Sequence, residues 1–470
     1  MSIKKNFIYN ILYQLLSILL PLVTIPYVSR VIGSDGIGKY SFTYSIVYYF
    51  MIFAMLGLNN YGNRMIAKNR DDITNRSKIY NEIRGMQILT TAISFLCYII
   101  LIFFIPADYR LLSFIQLFHL MSCFFDINWF FYGMENFKIA LYRNSIIKLI
   151  SLLLIFVFVK QKNDVWVYTL ILSVSTLLSQ LIPHFYIKKY IINVKIDFKN
   201  IRKHIIPCFK LVLPVIAVAI YKFMDKTMIG IFSNMKEVGF YENAEKILNV
   251  PTTIISALGL VMLPRMTNLY SKEENKKAYQ MIEKTMEFSM FLCFPMVLGL
   301  ISVSKEFISI YLGLEFNKTY VLLNLLSITC LFISWGNVIR TQFLIPKEKD
   351  RDFIISAFLG AIVNFLLNIV LIRIYQSIGA CFATIIAEFV VAFYQTYKVR
   401  KFLPIKKYLR NSYNFLLKAI IMFGILIVID FVKVELLYKI IIKIMVGIII
   451  YLSLNIRYIL KIINYKNIKN

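Results

Sequence analysis

The stretch of residues 353–374 reads FIISAFLGAIVNFLLNIVLIRI, and it carries no charged side chain before Arg373. An α-helix needs about 20 mostly apolar residues to cross the hydrocarbon core of a bilayer. This stretch meets that requirement. We therefore predict a transmembrane helix over these residues.

The same pattern recurs along the whole chain of 470 residues. Hydrophobic residues make up 59% of it and charged residues only 17%, whereas a soluble domain carries roughly 25% charged residues. The composition predicts an all-α integral membrane protein with about 14 transmembrane helices. The predicted spans are residues 7–28, 41–58, 86–105, 111–131, 145–159, 165–187, 207–232, 244–263, 286–303, 320–338, 353–374, 378–397, 412–432 and 436–458.

The chain is strongly basic, with 53 Lys and Arg against 25 Asp and Glu and a net charge of +28. In a polar chain this excess would indicate nucleic-acid binding, but the apolar composition argues against that as the main function. Most of the basic residues fall in alternate loops, for example 59–85 and 188–206. Because cytoplasmic loops are enriched in Lys and Arg, we predict that both termini lie in the cytoplasm.

The basic linker 188–206 divides the predicted spans. It separates an N-terminal six-helix bundle, residues 1–187, from a second one, residues 207–397. Residues 398–470 then hold a basic loop, two further helices and a tail. A short internal echo supports two repeated bundles, since Gly38-Lys39-Tyr40 and Gly239-Phe240-Tyr241 stand at equivalent places. We interpret both tripeptides as turns that enter a span.

Several kinds of catalytic or cofactor site are not indicated. The six Cys and three His residues are scattered, with no spacing suited to a metal ion. Residues 33–39 have the glycine and lysine spacing of a P-loop, but Tyr40 stands where Ser or Thr is needed for magnesium. With no ATP site and no H-E-x-x-H or G-x-S-x-G motif, we predict no cofactor and no enzymatic activity. Transport would then be driven by a gradient or by a partner.

A group of charged residues lies within the seventh predicted span: Lys222, Asp225 and Lys226. Spacings of three and four residues place all three on one helix face. Two cations and one carboxylate leave a positive charge, which suits a water-filled cavity that receives an anion. The alternative is an internal ion pair with one lysine extending to the membrane interface.

Each of the other charged residues within predicted spans has two possible roles. Asp126 and Glu388, like Asp225, either bind a coupling proton or sodium ion or form a structural ion pair, with Arg143 as the candidate partner of Asp126. Arg30 ends the first predicted span, and it either binds a diphosphate by paired hydrogen bonds or lies at the outer interface. We interpret Trp129 as an anchor at a membrane interface.

These residues form motifs of a known family. The run from Asp126 to Phe130 and then Gly133-Met134-Glu135 resembles a signature of the bacterial polysaccharide-biosynthesis flippases, the O-antigen type of the MATE-like MOP superfamily. Asp225-Lys226 with Gly230, residues 238–241 and residues 244–246 resembles another. Supporting matches extend from residues 29–33 and 38–40 through 263–265 to Gly379-Ala380, Thr384 and Glu388.

The resemblance implies a MATE-like fold, with two six-helix bundles around a central cavity that opens alternately inward and outward. It implies a flippase that carries undecaprenyl-diphosphate-linked oligosaccharides across the bacterial cytoplasmic (inner) membrane for O-antigen or capsule synthesis. Expected partners are this lipid-linked substrate, membrane lipid, H⁺ or Na⁺, and a polysaccharide polymerase with chain-length proteins. A multidrug exporter of the same fold and a polysaccharide polymerase are the alternatives.

The predicted topology can be tested with reporter fusions. Green fluorescent protein fused after Asn470 is expected to fluoresce, and alkaline phosphatase fused there is expected to be inactive, because the C-terminus is predicted to be cytoplasmic. The reverse pattern is expected for fusions in the short loop at residues 106–110. An active phosphatase at the C-terminus would contradict this topology.

Overall fold

The computed structural model consists of α-helices, and its described residues form no β-strand. This agrees with the predicted all-α class. The backbone is described over residues 3–192, 194 and 198–467. Side chains are described over residues 20–136, 143–192, 194, 200–209, 211–212, 216, 219 and 223–461.

The contacts divide the chain into two compact units, of which the first is Met1–Glu242. In this unit α4 packs against both α1 and α7, and α1 also contacts α3, α6 and α9. The kinked first helix is therefore the element around which the unit is assembled. Its helices are α1 (Ile3–Met55), α2 (Leu58–Lys68), α3 (Ile73–Phe104), α4 (Ala107–Phe125), α5 (Asn128–Gly133), α6 (Phe137–Phe158), α7 (Val165–Leu181), α8 (Pro183–Ile187), α9 (Phe198–Phe232) and the start of α10 (Met235–Ser271).

The second unit is Asn243–Asn470. A buried cluster in this unit joins side chains of α10, α11, α13 and α16 with Tyr451 of α17. The predicted domain limits at residues 187, 206 and 397 stay predictions. The helices are the remainder of α10, then α11 (Asn275–Tyr311), α12 (Asn317–Ser327), α13 (Thr329–Ile339), a π-helical segment (Arg340–Leu344), α14 (Asp350–Tyr375), α15 (Ser377–Val399), α16 (Ile405–Val428), α17 (Leu436–Leu454) and α18 (Ile456–Asn467).

Among the residues whose side chains are described, 11 helical segments are long and apolar enough to cross a membrane. These segments overlap twelve of the predicted spans, because one segment covers parts of the first two, which are two helical pieces joined at the Gly33 kink. The other two, residues 145–159 and 207–232, fall in α6 and α9. Large apolar side chains face outward, as Leu96, Ile100 and Phe103 do at 61%, 59% and 63% exposure. A lipid environment accounts for such a surface.

A kink at Gly33 joins the two predicted spans of α1. Gly33 has φ 74°, ψ −180°, a conformation that favours glycine because it has no Cβ atom. Helix resumes after this residue, so the predicted turn at Gly38-Lys39-Tyr40 is wrong. The segment with P-loop spacing is thus a bent helix, which differs from the loop that cradles a nucleotide phosphate.

Gly38 and Gly239 lie where α1 and α10 approach most closely within the first unit. A Cβ atom at Gly38 would overlap the carbonyl oxygen of Met235, and one at Gly239 would overlap the carbonyl oxygen of Ser34. The predicted turn at Gly239 is also wrong, because the residue is inside α10. The two echoed tripeptides therefore mark a backbone crossing in which each glycine faces the other helix.

Within the second unit, a buried ion pair joins the C-terminal helix α17 to α11. Lys443 of α17 is 1% exposed, and its Nζ lies 3.0 Å from Glu306 Oε1 and 2.5 Å from Asp430 Oδ1. Tyr451 donates a hydrogen bond to the carbonyl oxygen of Phe291 at 2.9 Å. Because a buried lysine needs its partners, α17 is tied to α11.

The glycine crossing can be tested by adding one methyl group. Gly38→Ala and Gly239→Ala are each expected to lower the melting temperature of the purified protein, because overpacking costs about 1–3 kcal/mol. Gly299→Ala and Gly424→Ala are matched controls within helices, since no atom lies within 4 Å of a Cβ atom at either position. Equal melting temperatures for the four variants would show that the crossing is not close.

Candidate functional site

A row of hydroxyl groups on α1 faces α9 and α10 in the first unit. Ser45 Oγ and Thr227 Oγ1 lie 2.8 Å apart in a hydrogen bond. One turn earlier, Ser41 Oγ donates to Glu242 Oε2 at 2.7 Å. The kink at Gly33 starts the helical segment that carries both serines, so the site depends on this bend.

The centre of the site is an ion pair between α9 and α10. Lys226 Nζ lies 3.0 Å from Glu242 Oε2, and the two side chains are 6% and 9% exposed. The ammonium group also lies 4.7 Å from the ring centroid of Phe223. Glu242 Oε2 thus accepts from Ser41 and pairs with Lys226 at the same time. Three helices meet at one carboxylate oxygen.

A second carboxylate lies beside this pair. Asp225 Oδ2 accepts a hydrogen bond from the hydroxyl of Tyr241 at 2.6 Å, and both residues are 3% exposed. The Asp225–Tyr241 and Lys226–Glu242 contacts join adjacent residues of α9 to adjacent residues of α10. Buried charges are tolerated when they are paired and hydrogen-bonded, as these are.

The charge of the site differs from the sum expected from α9 alone. On α9 alone, the two lysines Lys222 and Lys226 and the carboxylate Asp225 give a net charge of +1. Glu242 adds a carboxylate that this sum left out. The side chain of Lys222 lies outside the described residues. The roles of Lys222, Lys226 and Asp225 in binding stay predictions.

Asp126 lies at the junction of α4 and α5. Its Oδ1 accepts a hydrogen bond from the backbone N–H of Asn128 at 3.0 Å. Arg143, the expected partner, donates to Asn128 Oδ1 at 3.0 Å and also acts electrostatically on the Asp126 carboxylate. Gln87 of α3 holds the junction by donating to the carbonyl oxygens of Cys123 and Asp126 at 2.6 Å and 2.8 Å. The carboxylate is therefore placed by the backbone around it.

Trp129 is not an interfacial anchor, because its side chain is 0% exposed. The indole packs against the backbone at Gly62, where a Cβ atom would lie 2.6 Å from the ring. Its Nε1 points to Gln87 Oε1 at 3.4 Å. The family-like run at residues 126–130 thus forms the packed joint between α2, α3 and α5.

The remaining predicted residues lie elsewhere. Arg30 is on α1 before the kink, and its side chain is exposed. Glu388 belongs to α15 in the second unit and is partly buried. It exerts an electrostatic effect on Arg340, whose Nη2 donates to Asn337 Oδ1 at 2.9 Å. The structure sets Asp225 and Lys226 side by side against α10, and Arg30, Asp126 and Glu388 have other surroundings.

Three residues with buried polar roles were not predicted from the sequence. Two of them are Glu242 and Tyr241, which complete the site. The sequence signal that could have identified them is a carboxylate directly after the Gly-Phe-Tyr tripeptide of residues 239–241. His204 is the third, with Nε2 2.9 Å from Glu82 Oε2 and Nδ1 2.7 Å from the hydroxyl of Tyr61. Across the described residues, no three His, Cys, Asp or Glu side chains are grouped to hold a metal ion.

The chain was compared with known proteins. The family described as polysaccharide biosynthesis protein matches residues 3–270. The putative O-antigen transporter of Escherichia coli (strain K12) is 22% identical over 397 residues, covering 83% of this chain and 95% of that protein.

Two solved structures are also similar. The lipid II flippase MurJ in an inward closed conformation has a TM-score of 0.75 at 18% identity, covering 97% of this chain and 100% of that one. An inward-facing multidrug resistance MATE family transporter of the MOP superfamily has a TM-score of 0.58 at 12% identity, covering 84% and 99%. At these identities the likeness concerns the fold. The predicted MATE-like, all-α membrane fold is confirmed.

The ion pair can be tested by a double-mutant cycle on unfolding in mixed micelles. Lys226→Met and Glu242→Gln are each expected to lower the free energy of unfolding by about 3–5 kcal/mol, because each removes the ion pair of a buried charged group. The double variant Lys226→Met/Glu242→Gln is expected to recover part of that loss.

The exposed pair Lys277–Glu274 is a matched control with the same 3.0 Å separation. Lys277→Met and Glu274→Gln are expected to change the free energy of unfolding by less than about 1 kcal/mol. Equal losses at the two pairs would contradict a buried position for Lys226.

Proposed function

The chain belongs to the polysaccharide biosynthesis protein family, and on that premise we propose that it is a flippase for lipid-linked oligosaccharides. It moves undecaprenyl-diphosphate-linked repeat units across the cytoplasmic membrane by alternating access, for a surface polysaccharide such as O-antigen or capsule. The name of the Escherichia coli relative, an O-antigen transporter, supports this substrate class. The fold shared with a lipid II flippase supports the same class of transport.

The observation that carries the proposal is the buried Lys226–Glu242 pair among apolar helices. A diphosphate is an anion, and at membrane depth it needs a cation to replace water. Lys226 supplies that cation when Glu242 releases it. Lys222 and Arg30 are further candidates to contact the diphosphate, because lysine and arginine both bind phosphate oxygens.

Proton binding at Glu242 gives a physical route to coupling. A protonated Glu242 is neutral, so it holds Lys226 less strongly and the ammonium becomes available to the diphosphate. Deprotonation restores the ion pair and favours release of the substrate. Asp225, hydrogen-bonded to Tyr241, is the neighbouring carboxylate candidate, whereas Asp126 and Glu388 remain candidates for coupling H⁺ or Na⁺ elsewhere.

The proposal includes further expectations for the protein in the cell. It is not an enzyme, in keeping with the transporter and flippase names of its relatives. It lies in the inner membrane with both termini cytoplasmic, and it works beside a polysaccharide polymerase and chain-length proteins. The multidrug-exporter alternative rests on fold alone, because the MATE structure is 12% identical. The polymerase alternative predicts that the purified chain polymerises glycan.

Reconstitution tests the proposed transport. Proteoliposomes that contain the full chain are expected to move a fluorescent undecaprenyl-diphosphate oligosaccharide between leaflets, and an imposed pH gradient is expected to accelerate the movement. Glu242→Gln is expected to retain binding of the lipid and to lose at least about tenfold of the gradient-driven acceleration, because the amide cannot take up a proton.

Glu435→Gln, an exposed carboxylate, is the control and is expected to behave as the unmodified protein. Lack of movement with every lipid-linked glycan tested, at normal protein levels, would contradict the flippase. A Glu242→Gln variant that keeps the full gradient response would contradict the coupling role alone.

A further inference from the structure

The first unit contains a buried histidine, His119, that none of the roles proposed above uses. It lies in the interior of α4 and is 4% exposed. Its Nδ1 is buried and has no hydrogen-bond partner among the described residues. Leaving a buried polar atom in this state costs about 1–3 kcal/mol, and a buried water molecule removes that cost. The position of this nitrogen therefore indicates that water reaches the interior of the first unit.

Gln116, one turn earlier on α4, supports the same water position. Its Nε2 donates to Thr43 Oγ1 of α1 at 3.3 Å. Its Oε1 is buried and, like His119 Nδ1, has no partner among the residues that the structure describes. A spacing of three residues places both side chains on one face of α4. A water molecule against that face can donate to the amide oxygen and form a hydrogen bond with the ring nitrogen.

A cavity of about 210 Å³ begins one turn further along α4 from His119. Cys123 and Asp126 line it from α4, and Asn59 lines it at the start of the predicted cytoplasmic loop 59–85. Liquid water occupies about 30 Å³ per molecule, so the cavity has room for several water molecules. One helical turn rises about 5.4 Å. A proton held in the cavity is therefore about one helical turn from the buried imidazole.

Tyr44 of α1 connects the imidazole to the ion pair. Its ring centroid lies 5.0 Å from that of His119, in an edge-on arrangement. Its phenol interacts electrostatically with Lys226, with Glu242 and with Cys123, which lines the cavity. A phenolic hydroxyl both donates and accepts hydrogen bonds. Tyr44 thus lies between the cavity and the carboxylate that the proposed coupling requires.

The helices around His119 offer no other group suited to this proton transfer. Helices α1, α3 and α7 pack against α4. Residues 43–55, 86–104 and 165–181 of these helices contain no Asp, Glu, Lys, Arg or His, and within residues 111–125 of α4 His119 is the one residue of these types. The titratable side chains that share this interior are phenols and thiols: Tyr44, Tyr48, Tyr49, Tyr98, Cys123 and Tyr168. Imidazole is the side chain that takes up and releases a proton near neutral pH.

We propose that His119 relays protons between this cavity and Glu242, with the hydroxyl of Tyr44 as the last carrier. The proposal rests on the proposed function and adds the route by which Glu242 gains and loses its proton. A neutral imidazole carries a proton on one ring nitrogen and a lone pair on the other. It can therefore accept a proton on one side and release another on the opposite side.

The transfer keeps the number of protons constant at each group. A proton carried by water bonds to His119 Nδ1 as the Nε2 proton passes to the hydroxyl oxygen of Tyr44. The hydroxyl proton of Tyr44 passes in turn to the carboxylate of Glu242. The reverse sequence returns a proton to the cavity. No additional fixed charge has to remain in the membrane interior, where it would be costly.

Proteoliposomes that contain the full chain test the relay. The rate at which a fluorescent undecaprenyl-diphosphate oligosaccharide moves between leaflets is measured with and without an imposed pH gradient. His119→Gln is expected to lose at least about tenfold of the acceleration by the gradient, because an amide forms hydrogen bonds but does not take up a proton. Tyr44→Phe keeps the ring and removes the hydroxyl, and it is expected to lose about threefold or more.

Two matched controls carry the same substitutions elsewhere in the first unit. His184→Gln changes a histidine of α8, whose ring contacts Phe125. Tyr98→Phe removes a buried hydroxyl of α3, which donates to the carbonyl oxygen of Ser113 at 3.2 Å. Both variants are expected to keep the full acceleration by the gradient.

Equilibrium binding separates a relay from a structural role. A relay changes how fast Glu242 exchanges its proton, and it leaves unchanged how strongly the carboxylate holds that proton. The affinity of the same fluorescent lipid, measured in nanodiscs against pH, is therefore expected to follow one profile in the unmodified protein and in His119→Gln. Glu242→Gln is expected to lose the pH dependence.

The outcomes distinguish the relay from the proposed function. If the unmodified protein responds to the gradient and both His119→Gln and Tyr44→Phe respond equally well, the relay is overturned and the flippase stands. A changed pH profile of lipid binding in His119→Gln would also overturn the relay, because the residue would then act on the structure of the site. If the unmodified protein moves no lipid-linked glycan, the proposed function fails and the relay fails with it.

Discussion

A buried ammonium group must be matched by a carboxylate, and in the first unit this requirement is met by Lys226 and Glu242. Removing one partner of such a pair costs about 3–5 kcal/mol. The pair therefore fixes α9 against α10, and Ser41 extends the constraint to α1 through the same carboxylate oxygen. The close crossing at Gly38 and Gly239 lets the backbones approach so that these side chains can meet.

Much of the fold follows from local sequence, and its long-range geometry does not. Hydropathy over about 20 residues identifies helices one at a time, so each predicted span overlaps an observed helix, although residues 111–131 and 320–338 each run across a break between two helices. The position of the break in α1, at Gly33 and not at residues 38–40, was missed, because hydropathy carries no signal for the backbone conformation of one glycine. The crossing at Gly38 was missed for a related reason. Gly38 is needed because a carbonyl oxygen far away in the sequence packs against it, and the residues around Gly38 do not reveal that contact.

The candidate site shows the same limit. Helical spacing placed Asp225 and Lys226 together on α9, and in the structure each contacts α10, Asp225 through Tyr241 and Lys226 through Glu242. Their partners lie on other helices, and Ser41 and Glu242 are 201 residues apart in the chain. No spacing rule connects such positions. Glu242 is a carboxylate that the count on α9 left out, so charge within a single helix is a poor guide to the charge of a membrane site.

A site in which the lysine has a carboxylate partner is better suited to transport than the unpaired cation expected from α9. A cation with no internal partner would bind a diphosphate tightly in both orientations, and a transporter must release its substrate on one side. Glu242 competes with the diphosphate for Lys226, and the outcome of that competition depends on whether the carboxylate carries a proton. Ligands shift a conformational equilibrium only through different affinities for its states. An ion pair that opens for the substrate and closes behind it gives such a difference, and it does so without a fixed charge left exposed to the membrane interior.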